Sequence, residues 1–211
     1  MNLIFDLDGT LIDSRQRLYC LFQALVPASE LSYEAYWDFK QDKIANEVIL
    51  AREFGYDACA IKSYTSGWMK SIETQEYLAL DQNFPGMHDA LDRLGSQAHL
   101  HVCSARQRKQ ATIKQLDSLG LLAYFDSVMI TEQSRGKEEL IAEIADLSPQ
   151  DWIIGDTGKD IQVGRALGIK TCAVLSGFLS EKSLRPYGPD LILPSATDFC
   201  LEVAVAVSRK S

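Results

Sequence analysis

The sequence predicts an α/β protein: a doubly wound, mostly parallel sheet with a small all-helical unit inserted after its first strand. Three observations predict it. A short apolar run opens the chain. Strand-like and helix-like segments alternate from about residue 84 onward. Residues 15–83 interrupt that alternation with a helix-rich stretch.

Leu3-Ile4-Phe5 is continuously apolar and ends in Asp6-Leu7-Asp8-Gly9-Thr10, the pattern of a buried strand running into a tight turn. In 15–83, Tyr33, Tyr36, Trp37 and Phe39 lie close together, and Ile44, Val48 and Ile49 recur at helical spacing. Phe84-Pro85-Gly86 closes the segment with a turn signal. Downstream, strands are expected at 99–103, 127–130, 152–154, 170–175 and 191–193. Helices are expected at 86–94, 107–119, 137–146, 159–167 and 197–207. Right-handed crossovers turn this order into a sheet with helices on both faces. The expected division is a core of 1–14 and 84–211 and a cap of 15–83, seated above the carboxyl edge of the sheet.

Composition narrows the function. The 211 residues suffice for one sizeable core plus a small second unit. A hydrophobic share of 46% and a charged share of 24% are those of an ordinary globular protein. A net charge of -8 argues against nucleic acid, which needs a concentrated basic face. The five cysteines (Cys20, Cys59, Cys103, Cys172, Cys200) are scattered and form no C-x-x-C pair, so five free thiols in a reducing compartment are expected. No apolar run approaches the ~18 residues of a membrane span. No leader-like segment precedes the first strand. The expectation is a cytoplasmic protein with no membrane partner, monomer or homodimer.

In open parallel sheets, ligands bind outside the carboxyl ends of the strands. Asp6 and Asp8, two apart, point to one side of the first strand's end. Two buried like charges need an offset, and a hard divalent cation with oxygen ligands is the simplest. Gly9 and Thr10 add backbone N–H groups and a hydroxyl. Ser104 ends a second strand, Asp156 ends a third with Asp160 one helical turn later, and Lys137 opens the helix between. Four acids, a hydroxyl and a lysine converge on one rim, a composition suited to phosphoryl groups.

Asp6-Leu7-Asp8-Gly9-Thr10, Ser104, Lys137 and Gly155-Asp156-Thr157-Gly158-Lys159-Asp160 resemble, in order and spacing, the four motifs of the haloacid dehalogenase superfamily. Phe84-Pro85-Gly86-Met87 and Leu167-Gly168-Ile169 are similar to its phosphoglycolate-phosphatase-like branch. The resemblance implies a Rossmann-like core with a small C1-type cap and a magnesium-dependent hydrolase acting on a small phosphorylated metabolite. It implies that Asp6 attacks phosphorus to form an aspartyl-phosphate, and that Asp8 serves the leaving oxygen and then the attacking water. It further implies Mg2+ held by Asp6, Asp156 and the backbone carbonyl of Asp8, supported by Asp160. Gly9, Thr10, Ser104, Ala105, Arg106 and Lys137 would surround the phosphoryl oxygens and substrate. Dehalogenases of the family lack an acid at the position of Asp8 and its ion pumps carry threonine there, which leaves a phosphatase or, alternatively, a phosphomutase. A phospho-acceptor or binding-only relative is a more distant alternative.

Some assignments stay open at this level. Lys159 is an alternative to Lys137, because Gly136-Lys137-Glu138-Glu139 lacks the prolines common after the family's lysine. Ser104 reads as a helix N-cap, a phosphate ligand or both. Arg106 reads as a substrate contact or a helix-surface residue. His99 and His101 share a strand face with Cys103, but nothing completes a transition-metal site and core packing is the expectation. The Tyr33–Phe39 cluster is expected to pack inside the cap. Arg15, Arg17, Lys40, Lys43, Asn46 and Arg52 are candidate leaving-group contacts.

Overall fold

Asn2–Phe5 (β1) runs through the middle of a six-stranded sheet in the computed structural model, which describes residues 1–94 and 97–208. Its partners are His99–Ser104 (β4) on one side and Trp152–Gly155 (β6) on the other. Ser127–Ile130 (β5), Lys170–Val174 (β7) and Leu191–Leu193 (β8) complete the order β5-β4-β1-β6-β7-β8, parallel throughout. The chain leaves β1 toward β4 and later returns to its other side at β6. The carboxyl end of β1 is therefore the topological switch point, where open α/β sheets bind ligands.

Side-chain alternation along β1 builds two layers. Leu3 and Phe5 pack with Leu91, Leu94, Leu116 and Phe199 on one face, beneath Met87–Leu94 (α6), Lys109–Ser118 (α7) and Ala196–Ser208 (α11). Ile4 faces the opposite way, against Ile141 and Val163 of Lys137–Ile141 (α8) and Gly158–Leu167 (α9). The helix Glu181–Leu184 (α10) precedes β8.

The insert consists of Arg15–Leu25 (α1), Tyr33–Gln41 (α2), Asn46–Phe54 (α3), Ala58–Ser71 (α4) and Gln75–Leu78 (α5). It has its own apolar core, in which Phe22, Val26, Tyr36, Trp37, Ile49, Leu50 and Tyr64 are buried. The aromatic cluster at 33–39 packs into this core, as expected, and Trp37 also stacks on Phe178 outside the insert. The chain enters and leaves the insert through an antiparallel ribbon, Ile12–Asp13 (β2) with Gln82–Asn83 (β3), in register Ile12↔Asn83. Two-residue strands carry too little periodicity to be read from sequence.

Two helices differ from expectation. α8 ends at Ile141 rather than 146, and the turns that follow reach Asp146 in the left-handed region at φ 61°. α7 starts at Lys109 rather than 107, because Glu73 of the insert accepts the backbone amides of Gln107 (2.7 Å) and Arg108 (3.0 Å). All five cysteines are free. His101 is tied to Ser127 (2.8 Å) and Asn2 (3.2 Å), while His99 lies beside Asp126 on the surface. No described helix is long and apolar enough to cross a membrane.

Candidate active site

A cavity of about 310 Å³ opens over the carboxyl end of β1. The core contributes Asp6, Asp8, Ser104, Ala105, Arg106, Lys137 and Lys159 to its wall. The insert contributes Arg17, Leu18, Trp68, Met69, Ile72 and Glu73. Its size is near the lower end for small-molecule pockets.

Asp6 is fixed where β1 ends, its backbone amide donating to Ile154 (2.8 Å). Lys137, buried at the start of α8, lies 2.9 Å from Asp6 Oδ1 and 2.7 Å from Asp160 Oδ1. Lys159 is exposed and pairs with Glu138 at 2.6 Å. Contact with Asp6 therefore falls to Lys137. Asp160 Oδ2 accepts from the Thr157 hydroxyl (2.6 Å) and amide (3.2 Å), a capping box that opens α9. Gly155 makes room for it: a Cβ there would lie 2.3 Å from Asp160 Cγ. Asp156 Oδ2 accepts from the Phe178 amide (2.8 Å), whereas its Oδ1 is buried without a hydrogen-bond partner among the described residues.

Asp6, Asp156 and Asp160 bring ligand atoms within 4.8 Å of one another. Burial pushes Asp6 up to about 7 against the opposing pull of Lys137. Burial, then Asp6 and Asp160, hold Asp156 well above the ordinary carboxylate range. Lys137 is raised too, from the opposite cause: burial disfavours its charge, but Asp160 and Asp6 outweigh burial. Three acids and one lysine leave the cluster short of positive charge. The partnerless Asp156 oxygen and the all-oxygen donor set fit a hard divalent cation.

The side chain of Asp8 is not in that cluster. Arg106 grips it bidentately, Nε to Oδ2 at 2.8 Å and Nη2 to Oδ1 at 2.7 Å, and Arg17 Nη2 also donates to Oδ1. Burial raises Asp8, but Arg106 and Arg17 outweigh it and hold the carboxyl below its ordinary range. Behind the arginines, Asp81 Oδ2 accepts from Arg106 (3.2 Å) and Gln115 (2.8 Å). Asp81 Oδ1 lies 3.0 Å from Arg17 Nε without hydrogen-bond alignment. Burial pushes Asp81 up to about 6, against Arg17.

Ser104 and Ala105 line the cavity, and Arg106 is buried rather than on a helix surface. Gly9 and Thr10 do not line it, contrary to expectation: their amides donate within the turn, to Ile12 (2.8 Å) and Leu7 (3.3 Å). Gly9 serves close approach instead, since at φ 79° a Cβ would lie 2.4 Å from Asp156 Oδ2. Of the six candidate leaving-group contacts, Arg17 alone lines the cavity. Arg15 pairs with Asp13, Lys40 and Asn46 bond each other, Lys43 meets Tyr187, and Arg52 is exposed. Asp81, Gln115, Phe178 and Gln133 escaped sequence reading. Gln133 follows Glu132 in a pair of left-handed residues, φ 58° and 48°, that turns the chain beside the cavity. The only signal for Asp81 was the need of two buried arginines for counter-charge.

The family model of the haloacid dehalogenase-like hydrolases matches residues 3–174. The chain belongs to this family. As a haloacid dehalogenase-like hydrolase it is an enzyme, in agreement with the four motifs. A phosphoglycolate phosphatase of Synechococcus elongatus is 26% identical over 208 residues, 93% of each chain. Pyrophosphatase PpaX of Halalkalibacterium halodurans is 23% identical over 209 residues, 93% of this chain and 94% of that one. A haloacid dehalogenase-like family protein from Streptococcus pneumoniae shares the fold, with a TM-score of 0.79, 24% identity, and coverage of 98% of this chain and 97% of that one.

Proposed function

We propose that this hydrolase is a magnesium-dependent phosphatase for small phosphorylated metabolites, working through an aspartyl-phosphate on Asp6. The observation that carries the reading is the position of Asp6: at the switch point of the sheet, 2.9 Å from Lys137, in the wall of a small open cavity. Asp6, Asp156 and the backbone carbonyl of Asp8 would hold the ion, with Asp160 in support. Bound there, the cation neutralises charge on the transferred phosphoryl group.

Asp6 attacks phosphorus, and the alcohol leaves with a proton from Asp8, whose carboxyl can carry that proton only after it has left Arg106 and Arg17. Asp8 then takes a proton from water, which attacks the aspartyl-phosphate, releases phosphate and restores Asp6. Lys137 keeps Asp6 aligned and, with Ser104, receives phosphoryl oxygens. The helical insert acts as a cap, its Trp68, Met69, Ile72 and Leu18 excluding bulk water. The names of the curated relatives, a phosphoglycolate phosphatase and a pyrophosphatase, support a small anionic substrate, with phosphoglycolate the first to test.

Asp6→Asn removes the nucleophile and should abolish phosphate release from every substrate that the wild type hydrolyses. Appreciable residual turnover by pure, folded D6N would sink the assignment.

A further inference from the structure

Asp8 lines the cavity, but both of its carboxylate oxygens are already held by arginines. Three N–H groups are committed to it: Nε and Nη2 of Arg106 and Nη2 of Arg17. The rest of each guanidinium is anchored elsewhere. Arg106 Nη1 donates to Gln115 Oε1 (2.6 Å) and Arg17 Nη1 to the Ile72 carbonyl (3.3 Å). Asp81 lies against both, and Gln115 is itself held by the Leu78 carbonyl (2.9 Å). Both arginines are thus fixed from behind by groups that do not line the cavity, Ile72 apart, while they line it themselves. Glu73, the remaining acid nearby, is engaged by the amides of Gln107 and Arg108.

When Asp8 turns toward a leaving oxygen, two buried guanidiniums are left with Asp81 as their one shared acid. Leaving two buried positive charges on one carboxylate is unfavourable. A neutral alcohol cannot replace the carboxylate, whereas an anionic group can, because the fork of an arginine suits carboxylate and phosphate oxygens alike. We propose that Arg17 and Arg106 are the receptor for a second anion, carboxylate or phosphate, carried on the leaving half of the substrate. That anion takes the place of Asp8 on the guanidiniums and frees Asp8 for the reacting oxygen. The two arginines are specificity residues, one from the insert and one from the core, so the site is complete only when the two units meet. This rests on the phosphatase reading above.

The test compares kcat/KM, with magnesium, for four compounds on the full chain. Phosphoglycolate carries a carboxylate and pyrophosphate a second phosphate, while methyl and ethyl phosphate have neutral leaving groups. At least one anionic compound should exceed both neutral esters by about a hundredfold or more, since a site left with unpaired buried polar groups rejects the deficient analogue strongly. Which anionic compound leads identifies the second anion. Arg17→Gln and Arg106→Gln should each shrink that ratio about tenfold or more, with Arg106→Lys retaining part of it. Equal turnover of neutral and anionic compounds by the wild type overturns the proposal, even if the glutamine variants fail to fold. So does an unchanged ratio in a glutamine variant that melts like the wild type. Turnover of none of the four would instead sink the phosphatase reading, and this proposal with it.

Discussion

Lys137 sits between two buried carboxylates, 2.9 Å from Asp6 and 2.7 Å from Asp160, and that placement gives it two separable effects. Removing it leaves uncompensated buried charge, which typically costs about 3–5 kcal/mol. It also removes a charge aimed at the proposed nucleophile, usually worth about 10²–10³ in kcat. Lys137→Ala should therefore show both losses, in denaturant melts and in phosphate release. Lys159→Ala, truncating an exposed lysine paired with Glu138, should change stability by no more than about 0.5 kcal/mol. A larger stability loss in K159A than in K137A would reverse the assignment. Residues of this kind were legible where their position followed from a strand end: Asp6, Ser104 and Asp156 all terminate recognisable apolar runs. Asp81 and Gln115 were not, because they meet Arg106 across 25 and 9 residues of chain with no local pattern to announce it.

The loop between β7 and α10 links the insert to the acid cluster. The Phe178 amide holds Asp156 Oδ2, and its ring stacks on Trp37 of α2, centroids 5.5 Å apart and planes at 21°. Ser180 and Ser183 donate to the Gln41 carbonyl at the end of the same helix. One short segment thus orients an acid of the cluster and seats the insert over the cavity. Phe178→Ala keeps the amide and deletes the ring. Aromatic pairs contribute about 0.5–1.5 kcal/mol beyond burial, so a more loosely seated insert should raise KM several-fold, up to about tenfold. Trp37→Ala should do the same, and the double variant should add little. Additive losses would mean that the two rings act independently. The helices and strands of the core were readable from periodicity, but this seam was not, nor was the β2–β3 ribbon. Both depend on partners brought together only by the finished fold.

Across the whole molecule, a sheet that gathers Asp6, Asp156 and Asp160 at one edge couples folding to protons and to the proposed cation. Without metal, burial holds Asp6 near 7, well above its ordinary 3.8. Below about 3.8 both folded and unfolded chains carry the proton, and the stability linked to it is fully present. As pH rises through about 7 the folded protein loses that proton and this contribution with it, so metal-free protein should become less stable across that window. Asp156, also raised, acts in the same direction. Asp8, held low by the arginines against burial, acts oppositely and loses its contribution only in acid. A cation needs the carboxylates ionised, so it competes with protons and its stabilisation should grow with pH. At a hundredfold excess over Kd the gain is about 2.7 kcal/mol, or roughly 5–10 °C in Tm for a chain of this size. Thermal melts with and without magnesium should show that shift at pH 8 and most of it gone at pH 5.5. Asp156→Ala, which removes the partnerless oxygen, should abolish it at both. A magnesium shift equal at the two pH values, or one that survives in D156A, would place the ion away from these acids.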